Sequence, residues 1–409
     1  MASSRPVKVA IYTFGCKVNL FETDQLKKSL KNTEIVSSDE DADIFVINGC
    51  TVTAATDSQV RNMIRRFVKR GRVIVTGCYA RKADPNLECA DDIEFIPEIA
   101  DVAAVLGESF VYDAFFDRSR PFVKIQSGCD QFCSYCIIPF VRGPLKSVPV
   151  NEIKTLFEKI KDQQFKEVVL TGIHIGKYGK DLSDGSTLAD VAKVAFEIVG
   201  RVRLGSLESP EIDELLFEYA KLGMILPHWH VPLQHGSDTV LKRMNRPYTT
   251  NEFKTAIDRI VSVYKELPAI GTDVITGFPG ETDEEFHKSY EFIRSLPFTY
   301  GHVFPFSVRA GTAAEIMEKE NPVPFDVKKE RAAILRELFE NKKLQYMQSL
   351  DGTTDEVIIE EKISGNLFNS TSSKFQTVEV EGDFKSRDLV KVRLKCESGK
   401  LKGIPSGIR

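Results

Sequence analysis

No apolar run in this chain of 409 residues approaches the ~20 residues that a membrane-spanning helix requires. The opening residues Met1 to Pro6 lead straight into a strand-like stretch, without the apolar core of a signal peptide. No membrane partner is expected. Neither sign of charge is in excess. Lysine and arginine total 55 against 59 aspartates and glutamates, for a net charge of −4, which argues neither for nor against nucleic acid. Cysteine is scarce: there are eight, and in so long a chain they do not read as a disulfide framework. Six of them fall into two sets of three, which suits metal binding in a reducing compartment, and a cytoplasmic location is expected. The length leaves room for about three domains.

One set lies within Gly128-Cys129-Asp130-Gln131-Phe132-Cys133-Ser134-Tyr135-Cys136. Thiolate is a soft ligand that suits iron–sulfur clusters or zinc. Three ligands on one tight loop leave a position open in a site that wants four. The spacing alone leaves a zinc half-site or a structural loop possible. With Tyr135 ahead of Cys136, the stretch resembles the radical S-adenosylmethionine (SAM) signature. That resemblance implies a 4Fe–4S cluster on Cys129, Cys133 and Cys136. Its fourth iron would bind the amino and carboxylate groups of SAM, which is cleaved to a 5′-deoxyadenosyl radical.

The second set is dispersed. The runs 7–16, 44–50 and 73–78 are short and rich in β-branched and apolar residues, and each ends in Gly-Cys, at Cys16, Cys50 and Cys78. Helix-like stretches at 22–30 and 56–69 separate them, and this alternation implies a parallel sheet. Parallel strands end at one edge, where open α/β sheets bind ligands, so the three cysteines are expected together as a second iron–sulfur site. Cys89 and Cys396 lack this context and are expected to be ordinary thiols. The helix after Cys50 carries Arg61, Arg65 and Lys69 on one face and Val60, Ile64 and Phe67 on another. The basic face suits an RNA contact or a solvated surface equally.

Residues 117–121 are polar and basic and read as a linker. Six strand-like runs follow, at 122–126, 167–170, 201–207, 228–233, 270–275 and 301–306, alternating with helical runs. Six β/α units suggest a partial barrel with its site at the carboxyl ends of the strands, and the cysteine loop follows the first strand. By position in radical SAM enzymes, Thr171 and Gly172 would lie near the methionine amino group of SAM. Glu208 would reach the ribose, Arg246 or Gln234 the carboxylate, and Gly277 the adenine. His228 and His230 point to one face of a strand and read as barrel lining or a surface pair. From about residue 351 the pattern changes to short β runs. Val390, Val392 and Leu394 alternate with Lys391, Arg393 and Lys395, giving a core face and a basic face suited to phosphate. Position and pattern resemble the TRAM domain, an RNA-binding module.

Taken together the fold class is α/β: an N-terminal parallel α/β domain (1–117), a partial TIM-type radical SAM barrel (118–350) and a small TRAM-like β-barrel (351–409). This order resembles the radical SAM methylthiotransferase family over essentially the whole chain. Gly15-Cys16-Lys17-Val18-Asn19, Glu22-Thr23 and Cys50-Thr51-Val52-Thr53 are similar to the branch that acts on threonylcarbamoyladenosine in tRNA. Gly49, Ser127 and Pro144-Leu145-Lys146 depart from the family pattern. The resemblance implies two 4Fe–4S clusters, SAM, a tRNA anticodon stem-loop as substrate, and an electron donor and a sulfur donor as partners. Isopentenyladenosine as the target, a non-catalytic iron–sulfur RNA-binding protein and a zinc-binding RNA module are the competing expectations.

Overall fold

The computed structural model describes residues 5–37, 42–82, 92–113 and 118–406. The first part is a five-stranded, all-parallel sheet in the order β2-β1-β3-β4-β5. Its strands are β1 (Lys8–Thr13), β2 (Glu34–Val36), β3 (Ile44–Gly49), β4 (Arg72–Gly77) and β5 (Ile93–Phe95). Helices α1 (Lys17–Ser29), α2 (Ala54–Phe67) and α3 (Ile99–Val105) cover it. Alternate strand residues serve opposite faces. Phe45 and Ile47 pack with Val60, Ile64 and Phe67 of α2, while Ile44 and Val46 pack with Leu26 of α1 and Val102 of α3. Burial on both faces explains why these strands read as continuous apolar runs. Helix α1 starts at Lys17, five residues before its expected start, directly after Cys16. Its first two turns bury polar side chains (Asn19, Glu22, Thr23, Asp24) beside Val18 and Phe21, which blurs the apolar periodicity.

Next come β6 (Phe122–Ser127), α4 (Ile138–Arg142), β7 (Lys146–Ser147), α5 (Val150–Asp162), β8 (Val168–Gly172), α6 (Leu188–Val199), β9 (Val202–Leu204), α7 (Glu214–Lys221) and β10 (His228–His230). They are followed by α8 (Asp238–Arg243), α9 (Thr250–Ser262), β11 (Ala269–Thr276), α10 (Asp283–Ser295), β12 (Tyr300–Pro305), α11 (Ala313–Glu320) and α12 (Phe325–Ser349). The six long-range strands run parallel in chain order, β6-β8-β9 and β10-β11-β12. A parallel bridge between Ser206 and His230 links the two halves. The expected strand 201–207 is regular only to Leu204. Beyond it the backbone changes partner: Gly205 N–H donates to Leu170 O, and Leu207 N–H to His230 O. The antiparallel β7 and the strand β12 are the free edges, so the barrel is open.

Strands β13 (Thr354–Ser364), β14 (Leu367–Ser372), β15 (Thr377–Glu381), β16 (Leu389–Glu397) and β17 (Lys400–Pro405) form a closed barrel, β13-β14-β15-β17-β16. Strands β14 and β17 escape the hydrophobic pattern because serines (Ser370, Ser372) and Gly403 take inward positions. Val392 and Leu394 are buried while Lys391, Arg393 and Lys395 are exposed, as the alternation requires. The basic stretch at 118–120 is no solvated linker. Arg118 pairs with Asp24 at 2.7 Å and Arg120 with Glu360 at 2.8 Å, which ties the first sheet and the last barrel to the middle of the chain.

Candidate active site

The parallel sheet brings the turns after β1, β3 and β4 to one edge. Gly15 adopts φ +115°, and a Cβ on it would lie 2.4 Å from Cys50 Cβ; only glycine lets this turn approach Cys50. Gly77 adopts φ +78° and abuts Asn48, whose Oδ1 a Cβ there would meet at 2.3 Å. Asn48 and Asn19 fasten the turns, with Asn19 Nδ2 donating to Asn48 Oδ1 at 3.1 Å and Asn48 Nδ2 to Asn19 O at 2.9 Å. Cys50 and Cys78 are buried and Cys16 is exposed. Burial pushes the Cys50 thiol up to about 12 and raises Cys78. Cys396 stands apart on β16, and Cys89 lies outside the described residues.

The other three thiols sit on the loop after β6. Gly128 (φ +74°) passes so close to Pro144 that a Cβ would fall 1.8 Å from its carbonyl oxygen. Ser134 anchors the loop, its N–H donating to Met244 O at 3.0 Å and its hydroxyl to Arg243 O at 2.9 Å. Cations stand on two thiols: His174 Nδ1 is 3.1 Å from Cys129 Sγ, and Arg246 donates to Cys133 Sγ at 3.2 Å. Glu211 holds the other nitrogen of His174 at 2.7 Å. Arg246 favours the thiolate of Cys133, but burial outweighs it and raises that thiol, and burial pushes Cys136 up to about 12.

The two sets are linked. Helix α4 begins two residues after Cys136 and ends in Arg142. Its guanidinium donates to Cys78 Sγ at 2.9 Å, to Asn19 Oδ1 at 3.0 Å and to Glu22 Oε1 at 2.5 Å. Lys124 of β6 adds a second ion pair to Glu22 at 3.0 Å. Between the two parts lies a cavity of about 230 Å³, lined by Val52 and Thr53 from the first sheet and by Tyr135, Cys136, Gln234, Asp273 and Phe304 from the open barrel. Burial and the nearby Glu208 push the Asp273 carboxyl up to about 7.

Of the site residues expected from sequence, Gln234 and Cys136 line this cavity. Gln234 adopts φ +64°, a conformation few side-chain-bearing residues take. Glu208 and Arg246 line a neighbouring open cleft of about 520 Å³ beside the cysteine loop, where they form an ion pair with each other. Gly172 lies against Gln126, whose Oε1 accepts from His174 N–H at 2.8 Å; Thr171 is buried beside it. Gly277 (φ +68°) is packed against the Lys328 stem and donates to Glu281 at 2.6 Å, so it shapes the turn without opening on the cavity. His228 and His230 face one side, both against Tyr300. Sequence reasoning missed Arg142, His174, Lys124 and Asp273. His174 stood in a polar strand end, and Arg142 close behind the cysteine loop, but neither position announces its partner.

Residues 123–293 match the family model described as the radical SAM superfamily, and residues 8–96 that of uncharacterized protein family UPF0004. A threonylcarbamoyladenosine tRNA methylthiotransferase of Bacillus subtilis is 36% identical, over 91% of this chain and 90% of the relative. One of Aquifex aeolicus is 35% identical, over 85% and 91%. The chain belongs to the radical SAM methylthiotransferase family. A tRNA-2-methylthio-N6-dimethylallyladenosine synthase of Fervidobacterium nodosum is also similar, 32% identical over 97% and 98%. In fold the methylthiotransferase chain matches the radical SAM methyltransferase TsrM of Kitasatospora setae with a TM-score of 0.55, at 10% identity, covering 89% of this chain and 80% of that one.

Membership of the radical SAM superfamily implies SAM and a 4Fe–4S cluster, and the loop fits both. It offers three soft donors with cations on two of them, beside a cleft holding an arginine and a carboxylate. Among the described residues no three ligand side chains converge on a single point as around one ion. A cluster does not ask for that, because each thiolate takes a separate iron.

Proposed function

We propose that this protein is a tRNA methylthiotransferase that adds a methylthio group to carbon 2 of N6-threonylcarbamoyladenosine beside the anticodon. The observation that carries the reading is Arg142, which joins the loop of Cys129, Cys133 and Cys136 to the edge of Cys16, Cys50 and Cys78. The cavity between the two parts is lined by Cys136 of the loop and by Val52 and Thr53, which follow Cys50, so both sulfur-rich sites lie close to it, as a reaction combining a radical with sulfur insertion needs. The Bacillus and Aquifex relatives support the nucleoside. In this reading the chain has three domains, 1–117, 118–350 and 351–409.

The unactivated C2–H bond is beyond any side-chain base, and when bound, SAM and the two 4Fe–4S clusters supply the deoxyadenosyl radical and the methylated sulfur. Cys129, Cys133 and Cys136 hold one cluster, and Cys16, Cys50 and Cys78 hold the second. Arg246, Glu208, Gln234, Thr171 and Gly172 bind SAM, while Gly277 keeps its turn in shape. Arg142 and Lys124 balance Glu22 and keep the two sites in register. The target base leaves its stack to enter the cavity. Arg65 on α2 with Lys69 in the turn after it, and Lys391 and Arg393 on β16, meet the phosphates of the anticodon stem-loop. An electron donor and a sulfur donor complete the cycle. With a tRNA substrate the reaction belongs to the cytoplasm.

The test is anaerobic reconstitution with an iron count, followed by product mass on tRNA. About eight irons per chain, with about four lost in either Cys129→Ala or Cys16→Ala, is expected for two clusters. A methylthio mass on threonylcarbamoyladenosine completes the assignment. The same mass on isopentenyladenosine, or four irons lost only with Cys129→Ala, overturns it.

A further inference from the structure

Among the described residues, one cation in the open barrel, Lys17, has no carboxylate partner. Lys17 follows Cys16 at the start of α1, and its side chain leaves the first sheet and enters the barrel. Its Nζ stands 5.8 Å from the Phe122 ring centroid and 5.9 Å from that of Phe375. Arg120 and Arg203 crowd the same Phe375 ring, at 5.6 and 5.3 Å. Those arginines have acids of their own: Arg203 pairs with Glu167 at 2.7 Å and Arg120 with Glu360 at 2.8 Å. The neighbouring Arg201 pairs with Glu356 at 2.6 Å. Among the described residues no carboxylate pairs with Lys17, and its contacts are aromatic rings. The barrel wall facing it is polar and under-satisfied. The Nδ1 of His228 is buried without a hydrogen-bond partner among the described residues. His230 Nε2 comes within 3.2 Å of Asp273 Oδ1, a residue of the cavity wall beside Cys136. His302, the register partner of Asp273, is exposed in the open barrel.

We infer that Lys17 binds the carboxylate of the amino-acid substituent on the target base, and thereby selects that base against one bearing an apolar substituent. The inference rests on the function proposed above and names the residue that would read its nucleoside. A carboxylate supplies the charge that Lys17 lacks, in a charge-assisted hydrogen bond. An isopentenyl group would strip water from the ammonium and return nothing, so the same lysine disfavours it.

The test uses the full chain, reconstituted anaerobically, and anticodon stem-loops carrying threonylcarbamoyladenosine, isopentenyladenosine or plain adenosine. Affinity is compared by fluorescence anisotropy between preparations of equal iron content, because Lys17 adjoins Cys16. Lys17→Met and Lys17→Gln should weaken binding of the threonylcarbamoyl RNA about 10- to 100-fold and leave the plain RNA unchanged. Lys17→Arg should recover most of the loss. Variants that keep the preference for the threonylcarbamoyl RNA, or that weaken all three RNAs alike, overturn the role of Lys17. A wild-type protein that binds the three RNAs equally overturns the nucleoside assignment and this inference with it.

Discussion

Arg142 donates to the sulfur of Cys78 across 2.9 Å, although the two lie 64 positions apart, one at the end of α4 and the other in the turn after β4. The same guanidinium grips Glu22 on α1, and both partners are only 7% exposed. Removing one leaves the other stranded.

Arg142→Met is therefore expected to destabilise the protein by about 3 kcal/mol, in the range for breaking a buried pair. Lys124 remains to soften the loss at Glu22. Urea unfolding of the variant and the parent decides it: an unchanged midpoint and slope would mean that Arg142 carries no structural load.

Glu22 itself sets a pH dependence. Burial alone would raise its carboxyl, but Lys124 and Arg142 outweigh burial and hold it at about 2, below the ordinary 4.5. A carboxylate depressed by folding stabilises fully above its unfolded value, and that contribution is lost as pH falls through the folded value. Stability should decline from near pH 4.5 toward pH 2, by roughly 3 kcal/mol from this group. Glu22→Gln should lack that part of the decline. Parallel acid titrations of the two proteins would refute the assignment.

Asp273 has the opposite sign. Burial and Glu208 push it up to about 7, so the folded state holds a proton that the unfolded chain releases. Stability should fall as pH rises from the ordinary carboxylate range through about 7. Asp273→Asn should flatten this fall. Thermal melts between pH 5 and pH 8 with the same slope in both proteins would exclude it.

Gly15→Ala tests the edge of the first sheet. The added methyl would meet Cys50 Cβ at 2.4 Å, at φ +115°. The turn must then move, and Cys16 with it. Loss of about four irons per chain, with the loop cluster kept, is the expected count; a full complement would show that the turn tolerates a side chain.

Phe375 docks the last barrel onto the middle of the chain. Its ring lies 4.4 Å from that of His228, at a backbone φ of +59°, and Arg203 donates to the adjacent Ser372 and Ser373 carbonyls at 3.1 and 3.0 Å. Phe375→Ala should cost roughly 2 kcal/mol, less than the ~3–5 of a fully buried phenylalanine. It should also expose the segment around residue 351 to limited proteolysis. Unchanged proteolysis would place the docking energy elsewhere.

Much of the architecture was legible in the residues. Gly-Cys after each of three apolar runs announced a shared edge, because parallel strands end together. The β/α alternation announced the open barrel, and the spacing of Cys129, Cys133 and Cys136 announced the loop. What stayed hidden was local structure without local pattern: the polar start of α1, the two-residue β7, and β14 and β17 with their inward serines and glycine. Arg118 and Arg120 read as solvated linker because their acids lie at positions 24 and 360.

The sequence by itself determined which atoms can carry the chemistry, since thiol ligands, strand periods and tight glycine turns are properties of short stretches. Only the tertiary structure decided how those stretches face one another. It set Arg142 on Cys78, His174 on Cys129 and Lys17 inside the barrel beside arginines that have acids of their own. The Arg142 and Lys17 contacts arise where one part of the chain docks on another, and that of His174 where two turns of one sheet meet. No window along the chain contains both sides.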